Sequence, residues 1–212
     1  MKIKAVIFDL DGVICFTDKY HYQAWKQIAD KENIYFDEQI NERLRGVSRM
    51  ESLEIILERA EKTYTQVEKD VMAFAKNEVY RELLKQMSPA DLSEEVHRTL
   101  EELRKKGLKL AIGSSSKNTK DILARLGLGD FFDAISDGTN ITNSKPDPEV
   151  FLKAAAMLGI PSEECLVVED AEAGIRAAAA GGFISAGIGS AASYHMTNHS
   201  LTGISDLLKI VE

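Results

Sequence analysis

Cysteine is scarce: Cys15 and Cys165 are the only two in 212 residues, which excludes a disulfide framework and a cysteine-rich zinc module. Both lie in apolar runs and read as small core residues rather than reactive thiols. With 4 prolines and 14 glycines, the chain is neither collagen-like nor low-complexity. Positive charge is in deficit, 26 Lys and Arg against 34 Asp and Glu, a net −8. Nucleic acid and anionic membranes call for basic surface, so neither is an expected partner. A phosphorylated small molecule needs only a few local cations. No apolar stretch approaches the ~20 residues of a membrane span. Lys2 and Lys4 open like an export signal, but Asp9 and Asp11 break the apolar run such a signal needs. The expectation is a soluble, cytoplasmic protein. What is present is 44% hydrophobic and 28% charged residues, ample for a core. At ~150 residues per domain, the length lies between one domain and two.

Ile3 to Phe8 is a short apolar run, broken only by Lys4, that suits a strand buried on both faces of a parallel sheet. From Asp18 to Lys85 the period turns helical. Trp25, Ile28 and Ala29 share a face, as do Leu53, Ile56, Leu57 and Ala60; Phe74, Val79, Leu83 and Leu84 follow. Beyond Ser88-Pro89 the rhythm alternates: helices at 94–106, 118–126, 147–158 and 171–180 stop at glycines, and strands at 108–113, 134–135, 165–168 and 183–188 follow. Helices that stop at glycine with strands a few residues later are repeated βα units. The predicted fold is α/β, a Rossmann-like doubly wound parallel sheet with an inserted all-helical cap. The core is residues 1–15 and 88–212, and the cap is residues 16–87.

In such sheets ligands bind beyond the carboxyl ends of the strands. The first strand ends in Asp9-Leu10-Asp11-Gly12, whose carboxylates, two apart, can face one pocket. The strand at 165–168 ends in Glu169-Asp170. A single such acid is usually a turn former or helix cap; two buried strands each ending in an acidic pair call for a hard cation, and oxygen ligands with water suit Mg²⁺. Ser114-Ser115-Ser116-Lys117-Asn118 leads from a strand into a helix, where hydroxyls and N–H groups make a phosphate cradle; alone it is a serine cap. Lys145, stiffened by Pro146 and Pro148, offers a fixed positive charge. His195 and His199 sit at helical spacing, but with no carboxylate near them they read as a solvated loop.

Phe8-Asp9-Leu10-Asp11-Gly12-Val13, Ser114-Ser115, Lys145-Pro146 and Glu169-Asp170 resemble the haloacid-dehalogenase-like superfamily of phosphoryl-transfer enzymes, over nearly the whole chain. The resemblance implies Asp9 as a nucleophile that becomes an aspartyl phosphate, Asp11 as general acid/base, Ser114 and Lys145 as catalytic partners, and Mg²⁺ held by Asp9, Glu169, Asp170 and the Asp11 backbone carbonyl. His21 to Trp25, Arg45-Gly46-Val47-Ser48-Arg49, Ser52, Lys76-Asn77, Ser88 to Asp91 and Ser116 to Asn118 are similar to its sugar-phosphate mutase branch. That implies interconversion of β-glucose 1-phosphate and glucose 6-phosphate through a bisphosphate, which also primes the enzyme, in a monomer. The implied substrate contacts are Thr17, His21, Trp25, Arg49, Ser52, Lys76, Ser115, Ser116, Lys117 and Asn118; Arg49 and residues 116–118 grip the second phosphate, while the packing alternative for Trp25 is the cap interior. The sequence departs from the family at Phe16, an acidic position there, and in a short segment after Gly189. The rivals are a sugar-phosphate phosphatase on the same fold and a non-catalytic binding protein.

Overall fold

The computed structural model describes residues 2–44 and 47–211. Arg45 and Gly46, part of the motif quoted above, lie outside the described residues. The chain divides into two compact units, Met1–Phe16 with Ser88–Glu212, and Thr17–Met87.

The first unit is built on β1 (Ala5–Phe8), all four of whose residues are buried. Each large apolar side chain there contributes ~1.5–3 kcal/mol by leaving water. After the insertion come α5 (Glu94–Lys105), β2 (Lys109–Gly113), α6 (Thr119–Arg125), β3 (Ala134–Ser136), α7 (Glu149–Leu158), β4 (Cys165–Glu169), α8 (Glu172–Ala180), β5 (Ile184–Gly187), β6 (His199–Ser200) and α9 (Leu207–Ile210); α1 to α4 belong to the insertion. The sheet order is β3-β2-β1-β4-β5-β6, and every pairing is parallel. Chain order therefore reverses beside β1, and in a doubly wound sheet that places the ligand crevice at the carboxyl ends of β1 and β4. Ile7, Ala111, Val150, Phe151, Cys165 and Val167 belong to one buried cluster on one side of this sheet.

The α/β reading holds, with local differences. Helix α7 begins at Glu149 rather than Asp147, because Pro148 takes the cap position and the Asp147 carboxylate accepts the Glu149 N–H at 2.9 Å. Gly159 closes it in the left-handed region at φ +69°, which suits a residue with no Cβ. The strand expected at 183–188 is β5, four residues long. His199 is not in a helical or loop setting: it pairs with Ala186 as part of β6, a strand too short to leave an alternating pattern.

The second unit contains α1 (Asp18–Lys31), α2 (Glu38–Glu42), α3 (Arg49–Leu57) and α4 (Gln66–Leu84). Capping boxes at Ser48/Glu51 and Thr65/Glu68 start α3 and α4, each satisfying two backbone donors that a helix start leaves open. Trp25, Ile28, Phe36, Leu53, Ile56 and Met72 form its apolar centre. On α4 the buried stripe is Met72, Ala73, Lys76, Tyr80 and Leu84. Phe74, expected on the inner face, is instead 66% exposed. Two of the true stripe positions carry polar groups, so an apolar-only pattern is drawn to the wrong face.

No helix among the described residues is long and apolar enough to cross a membrane.

Candidate active site

The sheet positions the first group of residues. Asp9, one residue past β1, is tied to the next strand by its N–H to the Val168 carbonyl at 2.9 Å. The chain then folds back tightly, with Gly12 N–H donating to Cys15 O at 2.7 Å and Ile14 N–H to Leu10 O at 2.9 Å. Gly12 sits at φ +85°, and a Cβ there would lie 2.1 Å from an Asp170 carboxylate oxygen. The turn thus needs glycine twice, for its backbone and for the acid beside it.

Lys145 is 3% exposed. Its Nζ donates to Asp9 Oδ1 at 2.5 Å and also to Glu169 Oε1, while it lies 4.7 Å from the centre of the Phe151 ring. Glu169 Oε2 accepts the N–H groups of Asp170 and Ala171, both at 3.1 Å. Burial alone would push the Lys145 ammonium down, but the Asp9 and Glu169 charges outweigh it and hold Lys145 well above the ordinary lysine value. Burial pushes the Glu169 carboxyl up; Lys145 draws it back, and the Asp9 charge adds to the rise. Lys145 is therefore a permanent cation against the Asp9 carboxylate.

Carboxylate oxygens of Asp9, Glu169 and Asp170 lie within 4.8 Å of one another. An all-oxygen set of this size, with Gly12 leaving room for Asp170, fits a hard divalent cation. Asp11, half-buried, is outside that carboxylate cluster. The Asp170 carbonyl accepts Ala191 N–H at 3.1 Å and Ser190 Oγ–H at 2.8 Å. Sequence reasoning missed this clasp, because a serine in a short loop has no distinguishing pattern.

At the end of β2, Ser114 Oγ accepts the Ser116 N–H and Ser116 Oγ accepts the Asn118 N–H, both at 3.2 Å. Each hydroxyl accepts with a lone pair and keeps its own O–H to donate. Ser115 Oγ is buried with no hydrogen-bond partner among the described residues. Helix α6 starts at Thr119, one residue later than expected, and has 7 residues; the hydroxyl turns lie just before it. Lys117 is exposed and Asn118 half-buried.

The helical unit holds a second group. Arg49 opens α3, and its Nη2 donates to Asn77 Oδ1 at 2.8 Å. Lys76 Nζ lies 2.9 Å from His21 Nδ1, 4.5 Å from the Tyr80 ring centre and 5.2 Å from that of Trp25. Tyr80 Oη donates to Thr17 Oγ1 at 3.0 Å, and its ring lies 4.2 Å from that of His21. Burial pushes the His21 pKa well down, and the Lys76 and Arg49 charges add to the fall. A neutral His21 accepts a hydrogen bond from the Lys76 ammonium at Nδ1 when its own proton is on Nε2. Thr17, His21 and Lys76 thus come together, joined by Tyr80, which sequence reasoning did not name. The available signal was a lysine four residues before a tyrosine on one helix face. Trp25, expected among the substrate contacts, is 2% exposed within the apolar cluster; its visible role is a wall beside Lys76. Ser52, three residues beyond Arg49, is buried on α3.

Neither cysteine is a nucleophile. Burial, then the charges of Asp11, Asp9 and Asp91, push the Cys15 thiol well up; burial, then Glu164 and Glu163, push Cys165 up to about 11.

A doubly wound sheet that gathers an aspartate, a clamped lysine, a hydroxyl turn and an acidic pair at its carboxyl ends defines a class of phosphoryl-transfer and hydrolytic proteins. The chain belongs to the haloacid dehalogenase-like hydrolase family, whose model matches residues 3–182. It is 47% identical over 189 residues to the β-phosphoglucomutase of Bacillus subtilis, covering 88% of this chain and 84% of that protein. It is 33% identical over 183 residues to a phosphorylated carbohydrates phosphatase of Thermotoga maritima, 85% and 82% covered. The crystal structure of β-phosphoglucomutase from Clostridium difficile superposes with a TM-score of 0.90 at 38% identity, covering 97% of this chain and 93% of that one.

Proposed function

We propose that this chain is a phosphomutase that interconverts β-glucose 1-phosphate and glucose 6-phosphate through an aspartyl-phosphate enzyme and glucose 1,6-bisphosphate, the bisphosphate also serving as primer. The observation that carries the reading is the buried contact of Lys145 with both Asp9 and Glu169. It sets the Asp9 carboxylate directly against a permanent cation, an arrangement suited to nucleophilic attack on phosphorus. Likeness to the Bacillus mutase supports a sugar hydroxyl, rather than water, as the acceptor.

In this mechanism phosphorylated Asp9 gives its phosphoryl group to the 6-hydroxyl of β-glucose 1-phosphate. Asp11 takes the hydroxyl proton as the new O–P bond forms and the Asp9–phosphate bond breaks. The bisphosphate then offers its 1-phosphate to Asp9, the bond from C1 oxygen to phosphorus breaks, and Asp11 returns the proton to that oxygen. Lys145 and Ser114 stabilise the charge on the transferring oxygens. Mg²⁺ would be held by Asp9, Glu169, Asp170 and the Asp11 backbone carbonyl. When bound it neutralises the phosphoryl oxygens and lowers repulsion against the attacking carboxylate. Arg49 is assigned to the non-reacting phosphate, where a guanidinium fork matches two oxygens, and Ser116, Lys117 and Asn118 are assigned to it as further donors. Thr17, His21, Lys76 and Ser52 contact or orient the sugar, Trp25 backs Lys76, and Ser115 adds a hydroxyl to the phosphate turn. The proposal takes a monomer as the working unit and the cytoplasm as the compartment of its sugar phosphates.

The test follows glucose 6-phosphate and free phosphate separately, from β-glucose 1-phosphate with a trace of bisphosphate. The expected result is glucose 6-phosphate with little free phosphate in the wild type. Arg49→Ala should lose roughly a hundredfold in sugar turnover, equivalent to ~2–3 kcal/mol for a charge-assisted contact, with the products shifted toward hydrolysis. Asp9→Asn should take up no phosphate by intact mass. Free phosphate as the main wild-type product, unaffected by Arg49→Ala, would leave a phosphatase.

A further inference from the structure

Gly174 is the third residue of α8, buried, inside a regular helix and not in the left-handed region. Neither a turn nor its backbone angle calls for glycine there, and alanine is the better helix former. What occupies the space where its side chain would be is a carboxyl group. A Cβ on Gly174 would lie 1.9 Å from Glu169 Cδ, 2.0 Å from Oε1 and 2.5 Å from Cγ. Real Cβ atoms do not approach so closely, so a single methyl group and the present Glu169 rotamer exclude each other.

Glu169 has little freedom to yield. It is 1% exposed; Oε2 accepts two N–H groups at the start of α8, and Oε1 accepts from Lys145. Lys145 in turn holds Asp9. A displacement of the Glu169 carboxyl therefore passes to the Asp9 carboxylate through two hydrogen bonds. We infer that Gly174 is a positioning residue for phosphoryl transfer: its missing side chain is the socket that seats Glu169 and so sets where Lys145 holds Asp9. This rests on the reading that Asp9 is the phosphoryl acceptor, whereas the steric half of it does not.

Two measurements separate the halves. Thermal unfolding is compared for wild type, Gly174→Ala, Glu169→Ala and the double variant. Gly174→Ala should lower the midpoint when Glu169 is present, and leave it unchanged or raise it once Glu169 is alanine, because the clash is gone and the helix preference remains. An equal shift in both backgrounds overturns the socket. The cycle survives an unfolded Gly174→Ala, since the double variant then refolds where the single does not.

The second measurement is the rate of phosphate uptake from acetyl phosphate with Mg²⁺, by intact mass. Gly174→Ala should slow uptake by ~10²-fold, the scale of a misplacement of about 1 Å at a reacting group. The loss should fall on the maximal rate of uptake and leave the acetyl phosphate concentration at half-maximal rate within a few fold, because the displaced group aims the attack and does not hold the donor. A Gly174→Ala enzyme as fast as wild type, or one whose loss lies in the half-maximal concentration alone, overturns the positioning role. A wild type that takes up no phosphate from acetyl phosphate or the bisphosphate overturns the proposed chemistry and the positioning role resting on it, and leaves the unfolding cycle to judge the socket alone.

Discussion

The two groups of polar residues handle buried charge in opposite ways. At the sheet, opposite charges meet: the Lys145 ammonium is shared by Asp9 and Glu169. In the helical unit, Arg49 is oriented by the Asn77 amide and Lys76 meets a neutral imidazole and two aromatic faces. Pairing with carboxylates makes a network whose geometry is set before a ligand arrives, suited to holding a nucleophile still. An amide fixes a guanidinium without cancelling its charge, suited to keeping that charge for an anionic ligand. Under the proposed function, one arrangement would prepare attack and the other grip.

The most damaging way to break the first arrangement is Lys145→Met. The side chain is similar in length but leaves two buried carboxylates facing each other, so one must take a proton or move. Phosphate uptake on Asp9 should fall by ~10³-fold, the upper end for removing one preorganised electrostatic group. Lys145→Arg should recover little, because a planar guanidinium does not fit a 3% exposed site shaped for an ammonium. Quenched-flow labelling followed by intact mass gives both rates. Uptake within a few fold of wild type in Lys145→Met would show that the clamp is structural only.

The second arrangement is tested by giving it the character of the first. Asn77→Asp keeps the hydrogen bond to Arg49 but makes the partner a carboxylate. If the neutrality of Asn77 matters, apparent affinity for the bisphosphate should fall by ~10-fold or more, since a like charge now faces the phosphate. Asn77→Ala, which loses orientation but not charge, should cost less. Phosphate uptake from acetyl phosphate, which has no second phosphate, should change little in either. A loss in Asn77→Ala at least as large as in Asn77→Asp would put orientation ahead of charge.

The same contrast explains what could be read from the sequence. Asp9, Glu169 and Asp170, which the structure brings together, were legible because a parallel sheet sets its ligands at strand ends, where a carboxylate after an apolar run is conspicuous. Gly174 was not, because its contribution is an absent side chain whose neighbour lies five residues earlier. In the helical unit the candidate groups Lys76 and Tyr80 lie within the buried stripe of α4, where they interrupt the apolar signal. That pattern placed Phe74 inside and left Tyr80 unnamed. Arg49 was found through resemblance to a family motif, not through periodicity, and the β6 strand of two residues is below the length at which alternation means anything.

The smallest effect concerns His21 and is read in stability. Burial, with Lys76 and Arg49 adding, holds its pKa well below the ordinary 6.5. The unfolded chain therefore binds a proton near pH 6.5 that the folded protein still refuses. As pH falls below that point the unfolded state gains the proton first, so folding stability is lost toward acid and is fully present above it. The slope for one proton is ~1.4 kcal/mol per pH unit. His21→Asn offers Lys76 an amide oxygen in place of Nδ1 and cannot titrate, so its stability should fall less steeply between pH 6.5 and pH 5. Denaturant midpoints measured across that interval give the comparison. Equal slopes in the two proteins would mean that His21 accepts its proton in the folded state as readily as in the unfolded one, and that Lys76 is not using its ring nitrogen as an acceptor.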